Sequence, residues 1–262
     1  MNIQRGFTLI ELIIVIVLLA IVASFSFQFV GIGAQMFSTG SERLQTIEKS
    51  RFAIERLTRE IRGAVPNSAR VRGKCLEFVP ADVVGTYYDA PIRPSSSDEM
   101  TFVTFAGSGN AADISWSLDG NERIYIYATR ANFIYSDNPQ RYANFAGGYS
   151  STSLENTLPL EPGSQFAKES PLNRAYIGSE PVSFCVSGEN LYRVSGYGWQ
   201  QSQTEWSNGD LIATGVNNDL AAFDVDANNQ QSNNIITLQL QFGENAEEPV
   251  FYYREVHIPN AP

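Results

Sequence analysis

Histidine and cysteine are scarce in this 262-residue chain, which holds one histidine, His257, and two cysteines, Cys75 and Cys185. Three such side chains cannot supply the four ligands of a structural zinc site, and Ser-His-Asp or Cys-His chemistry would have to run through His257 alone. Basic residues are also short, with 18 Lys and Arg against 28 Asp and Glu, a formal charge of -10. An acidic chain repels phosphate backbones, so a sequence-wide nucleic-acid interface is disfavoured and only a local basic patch could support one. With 43% hydrophobic residues the chain can still bury a core, as one large domain or two small ones.

The acidity is unevenly placed. Residues 1–74 carry ten basic and five acidic groups, a surplus of +5, whereas the remainder carries eight basic and 23 acidic groups, a deficit of -15. Two physically different modules share the chain.

What the sequence does have is one long apolar run. Leu12 to Val30 holds nineteen residues without a charge, which at about 1.5 Å per residue spans roughly 28 Å, close to a bilayer's hydrocarbon core. A secretory signal peptide would be cut after such a run, but no Ala-x-Ala site follows Val30. Ahead of it stands a short polar leader, Met1-Asn2-Ile3-Gln4-Arg5-Gly6, followed by Phe7-Thr8-Leu9-Ile10-Glu11-Leu12.

The Gly-Phe-Thr-Leu-Ile-Glu stretch resembles the processing motif of type IV pilins and type II secretion pseudopilins. The resemblance implies cleavage between Gly6 and Phe7 by a prepilin peptidase and N-methylation of the new Phe7 amine. It implies further partners: other minor and major pilins, an inner-membrane assembly platform and the inner-membrane lipid of a Gram-negative bacterium. By the positive-inside preference Arg5 is expected on the cytoplasmic side, so everything after the helix is expected to face the periplasm.

Glu11 is the residue a bilayer tolerates least, at a cost of about 2.5 to 3.5 kcal/mol for a central acid and less near a helix end. The Phe7 amine, cationic at neutral pH with or without methylation, lies one helical turn away. A self-pair is geometrically open; the family resemblance implies instead a pair between Glu11 of an incoming subunit and the amine of its neighbour.

Beyond Val30, Gly31, Gly33 and Gly40 each weaken a helix by about 1 kcal/mol relative to Ala and mark expected flexible points. Leu44, Ile47, Ile54, Leu57 and Ile61 then recur at helical spacing, with Glu and Arg between them. Pro66-Asn67-Ser68 reads as a turn, so the helix is expected to end near Ala64, and an unbroken helix from Phe7 would extend roughly 87 Å. Its outer face is basic through Arg51, Arg56, Arg59 and Arg62, with Glu55 to Arg59 an expected i,i+4 pair. That face could be simply solvated, or could meet the acidic head of a neighbouring subunit.

From Cys75 the texture becomes short β-rich runs: Cys75 to Val79, Thr101 to Phe105, Ile124 to Ala128, Val182 to Val186, Leu191 to Val194 and Ala221 to Val225. Alternation in Ile236, Leu238, Leu240 and Phe242 predicts a hairpin with Val250 to Ile258. The polar stretches 84–99 and 136–180 read as surface loops or small excursions. The expected class is therefore α+β, a long N-terminal helix packed on a β-rich pilin-like head. Its expected parts are leader 1–6, membrane helix 7–30, amphipathic helix 31–65 and head 66–262.

Cys75 and Cys185 fall in predicted strands and in an oxidising compartment, so a disulfide is expected between them, worth about 5 kcal/mol by loop-closure entropy. Gly107-Ser108-Gly109-Asn110-Ala111-Ala112 imitates a dinucleotide fingerprint, but no amphipathic helix follows. Asp224-Val225-Asp226-Ala227-Asn228-Asn229 begins like a calcium loop but has Asn229 and Ile235 where Gly and Glu are needed. Asp219, Asp224 and Asp226 are weak calcium candidates. Tyr87, Tyr88, Trp199 and Trp206 are the aromatics considered for sugar stacking, against the commoner role as core. The sequence offers no cofactor motif and no catalytic constellation. The enlarged head resembles larger minor pilins and J-type minor pseudopilins, and the Arg51–Leu57 stretch and the Arg254–Asn260 ending resemble MshO-type minor pilins of the mannose-sensitive haemagglutinin pilus.

Overall fold

The structure is a computed structural model that describes residues 8–105, 115–217, 219, 221–225, 235–243 and 249–258. It is an α+β protein in which a long apolar helix is followed by a β-rich head. It divides into two compact units, Met1–Glu48 and Lys49–Pro262.

The first unit is built from most of helix α1, Leu9–Arg62, whose apolar stretch is long enough to cross a membrane. Leu, Ile and Ala propagate the helix, and in hydrocarbon a helix satisfies its own backbone groups. Its polar interruptions are answered locally: Ser26 Oγ donates to Val22 O at 2.8 Å, and Thr46 Oγ1 to Glu42 O at 3.0 Å. The helix continues through Gly31, Gly33 and Gly40, as the pattern beyond Val30 implies. Leu44, read as part of the buried stripe, is exposed.

In the second unit the last turns of α1 bury Ser50, Ala53, Ile54, Leu57, Thr58 and Ile61, an alternation of three and one that lays a single stripe on the head. Helix α1 ends at Arg62, two residues earlier than expected, and Val65-Pro66-Asn67-Ser68 closes a turn with Ser68 N–H donating to Val65 O at 3.1 Å. Asn67 occupies the left-handed region there, at φ 64°, which Asn tolerates better than most residues.

The buried stripe of α1 meets two sheets. The first is antiparallel and five-stranded, with β1 (Arg70–Arg72), β2 (Cys75–Phe78), β11 (Val182–Ser187), β12 (Asn190–Val194) and β13 (Asp210–Thr214) side by side in that order. The second is three-stranded, in the order β14 (Phe223–Val225), β15 (Ile235–Phe242) and β16 (Val250–His257). Ile54, Leu57 and Ile61 share one core with Leu76, Phe78, Phe184, Leu191, Ile236, Leu238, Leu240 and Val256. The expected hairpin is β15 with β16, in register from Ile235 opposite His257 to Phe242 opposite Val250.

Between β2 and β11 in sequence lies a third sheet, six-stranded: β7 (Tyr142–Asn144), β6 (Arg123–Ile126), β10 (Arg174–Gly178), β3 (Ala81–Asp89), β4 (Ser97–Thr104) and β9 (Glu155–Ser164), in that spatial order. A two-stranded ribbon, β5 (Trp116–Leu118) with β8 (Tyr149–Ser151), and the one-turn helix α2 (Ala131–Tyr135) accompany it. This insertion has its own core, around Phe102, Ile124, Ile126, Leu158, Phe166 and Ile177.

The sheet corrects the sequence reading of 84–99 and 136–180 as loops: much of both stretches is strand. Two features hid it. Strand β9 carries Pro159 and Pro162, admissible because β9 is an edge. Strand β3 carries Gly85, where a Cβ would stand 2.2 Å from Val103 O, so close approach of the neighbouring strand demands glycine.

Candidate assembly site

At the N-terminal end of α1, Thr8 acts as the cap. Its Oγ1 accepts from the Glu11 N–H at 3.4 Å and its carbonyl from the Leu12 N–H at 3.3 Å. Thr-x-x-Glu is the spacing of a capping box, and a carboxylate in the first turn is favourably placed against the helix dipole. The Glu11 side chain is exposed, in a helix whose following residues, Leu12 to Leu19, are exposed and apolar. A single acid at the head of a lipid-compatible cylinder can recruit a cation or a second chain's amine, and can do little else chemically. Gly6 and Phe7 lie outside the described residues.

Residues 1–27 match the prokaryotic N-terminal methylation motif. The chain therefore carries a prepilin-like N terminus that supports a pilin-like family, whose members are structural subunits rather than enzymes. The motif suggests inner-membrane anchoring through α1, and contact with prepilin peptidase and other pilins. No curated protein and no solved structure matches the chain.

The remaining sequence-singled residues fall as follows. Cys75 and Cys185 are bonded to each other, directly opposite across β2 and β11 with Cα atoms 4.1 Å apart, both buried. Asp224 lies on β14 opposite Thr237, and the Asp219 N–H donates to the Asn217 side chain at 2.7 Å. Asp226 and the Gly107–Ala112 motif lie outside the described residues. Among the described residues no group of three or more His, Cys, Asp or Glu could hold a metal ion. His257 is exposed at the end of β16. Tyr87 is buried and accepts from the Ser170 N–H at 2.8 Å, whereas Tyr88 is exposed. Trp199 stacks on Arg123, 4.1 Å from the guanidinium, and Trp206 packs on Tyr197.

On the basic helix face, Arg51, Arg59 and Arg62 are exposed. The expected Glu55–Arg59 pair is replaced by Arg56 with Glu60 at 3.0 Å, while Glu55 takes Arg254 of β16 at 3.1 Å. The reason is tertiary: β16 and β12 bring Arg254 and Arg193 within reach, and Glu60 also accepts from Arg193 Nε at 2.8 Å. Ser50 and Tyr252 hydroxyls bond at 3.0 Å on the same side. These ties fix the last turns of α1, from Ser50 onward, on the head.

Sequence reasoning missed a buried, paired carboxylate of the head. Glu77 on β2 is buried, yet it pairs with the Arg70 guanidinium and accepts from the Tyr197 hydroxyl at 2.9 Å. Arg70 also donates to Gln200 O and Gln201 O at 2.9 and 2.7 Å and lies 3.6 Å over the Tyr135 ring. Burial, and then the neighbouring Glu77 charge, pushes the Tyr197 phenol far up, so it remains a donor. With every partner engaged the network is structural: it ties the loop after β12 to β1 and β2. No sequence spacing announces it, because its members are up to 131 residues apart.

Proposed function

We propose that the protein is a minor pilin: a subunit cut between Gly6 and Phe7, methylated on Phe7, and drawn from the inner membrane to prime or cap a type IV filament of the mannose-sensitive haemagglutinin kind. Glu11 is its assembly residue, pairing with the Phe7 amine of a neighbouring subunit, and the head faces the periplasm until assembly. The observation that carries this reading is the methylation motif over residues 1–27, set directly on an exposed apolar helix that begins with Glu11. The large head, with an entire six-stranded sheet inserted between β2 and β11, favours a low-copy specialised subunit over a repeating one. A minor pseudopilin of a secretion system shares the N terminus, and a tip adhesin would use the head's outer surface.

Gene deletion separates these. Loss of all surface filaments supports a priming role, filaments that form but fail to adhere indicate the adhesin, and intact filaments with failed enzyme export indicate the pseudopilin. Within the same strain Glu11→Leu should leave the chain in the inner membrane and abolish its incorporation. Normal incorporation of that variant would remove Glu11 pairing from the account.

A further inference from the structure

The head carries a deficit of fifteen charges beyond residue 74, yet one corner of the inserted sheet gathers cations. Arg141 lies 5.4 Å from the ring centroids of both Tyr127 and Phe133. Lys168 Nζ is 5.4 Å from the Tyr127 centroid, and Arg130 is 5.8 Å from that of Phe133. The corner is held by backbone: Ile126 N–H donates to Arg141 O at 2.9 Å, Ala167 N–H to Gln140 O at 2.8 Å, and Arg141 Nη1 to Lys168 O at 3.3 Å. Tyr127 is kept at φ 51°, a conformation that non-glycine residues rarely adopt and that surrounding structure must impose.

None of the ion pairs among the described residues involves Arg130, Arg141 or Lys168, although Asp137 and Glu169 are close in sequence and exposed. Arg141 Nε is buried without a hydrogen-bond partner among the described residues, an arrangement that costs free energy. Desolvation moves the Arg141 guanidinium down from its usual range, the direction expected of a cation lacking an anion. Asn132 and Asn138, near these residues in sequence, are exposed.

We propose that this corner binds an acidic polysaccharide. Guanidinium and ammonium groups preorganised on ring faces bind carboxylate or sulfate substituents, part-exposed rings and amides suit pyranose faces and hydroxyls, and neutral sugars lack the anion the site needs. A protein partner fits less well: a stable protein interface takes about 800 Å² per side, more than this group of five side chains supplies. The site is separate from the N-terminal assembly residue and stands whether or not the chain primes a filament.

The test is binding of full-length protein, in nonionic detergent, to immobilised alginate and chondroitin sulfate, with dextran and polyglutamate as neutral and peptide-like controls. Either acidic polysaccharide should bind and weaken as salt rises, dextran should not bind, and polyglutamate should bind less tightly. Because Arg141 is partly buried, the decisive variant is the double exchange Arg130→Gln with Lys168→Gln, both exposed positions. It should weaken binding by about tenfold or more while Arg51→Gln with Arg62→Gln leaves it unchanged. The proposal is overturned if neither acidic polysaccharide binds, if polyglutamate binds equally well, if both double variants weaken binding alike, or if Arg130→Gln with Lys168→Gln alters self-association instead of sugar binding.

Discussion

Removing the Cys75–Cys185 bond should cost the head a large part of its stability. The bond closes a loop with a sequence separation of 110 residues, and the entire six-stranded sheet lies inside that loop. In the chain-entropy model such a cross-link restricts the unfolded chain by about 5 kcal/mol at 25 °C. Ordinary domains are stable by only about 5 to 15 kcal/mol, so the loss would bring the head near its unfolding threshold. The perturbation is the double exchange Cys75→Ala with Cys185→Ala, which leaves no lone thiol and no buried hydroxyl. Urea unfolding of the full chain in detergent, followed through Trp116, Trp199 and Trp206, reads the head specifically, because all three tryptophans lie there. The expected result is a midpoint shift equivalent to about 3 to 5 kcal/mol, reproduced by wild-type protein refolded under reductant. A change below about 1 kcal/mol, with unchanged slope, would refute the claim that the insertion is closed at its base by this bond.

Three further outcomes follow from particular side chains. Leu57→Ala removes a fully buried anchor of α1 from the core shared by the five- and three-stranded sheets, and should cost about 2 to 5 kcal/mol in the same unfolding assay. Glu77→Gln leaves the Arg70 charge, only 17% exposed, without its carboxylate, and should cost about 3 kcal/mol, whereas Glu205→Gln at the exposed Arg72 pair should be near neutral. Asp82 is exposed by surface area, yet desolvation by the atoms crowded round its carboxyl holds it above the usual carboxylate range despite its bond with Ser179. Folding therefore favours its protonated form, and its contribution to stability falls as pH rises through that raised pKa. Asp82→Asn should accordingly raise the melting temperature at pH 7 and leave it unchanged near pH 3; an equal shift at both pH values would contradict this assignment.

The legible parts of the fold were those written in short-range pattern. An uncharged nineteen-residue run, a helical stripe through Ile54, Leu57 and Ile61, and strict alternation in β15 each state their own structure within a few residues. The six-stranded sheet was largely hidden because its strands borrow stability from neighbours. Gly85 suits β3 only when Val103 lies alongside, and two prolines suit β9 only because it is an edge. Ion pairing was misread for a similar reason: Glu55 had a neighbour at helical spacing, but Arg254, 199 residues away, offered a better-placed partner. The N-terminal methylation motif was legible because it is written in adjacent residues. The cationic corner was not, because residues 127–141 and 168 meet only after β6, β7 and the segment before β10 have folded.

The central claim is that this helix is retained after processing at its front rather than cut away behind it. Mass spectrometry of the N-terminal peptide, from chain expressed together with a prepilin peptidase, reads this directly. The account predicts a mature protein that begins at Phe7, carries one methyl group on its amine and keeps Leu12 to Val30. An N terminus still at Met1, or one beyond Val30, would contradict it.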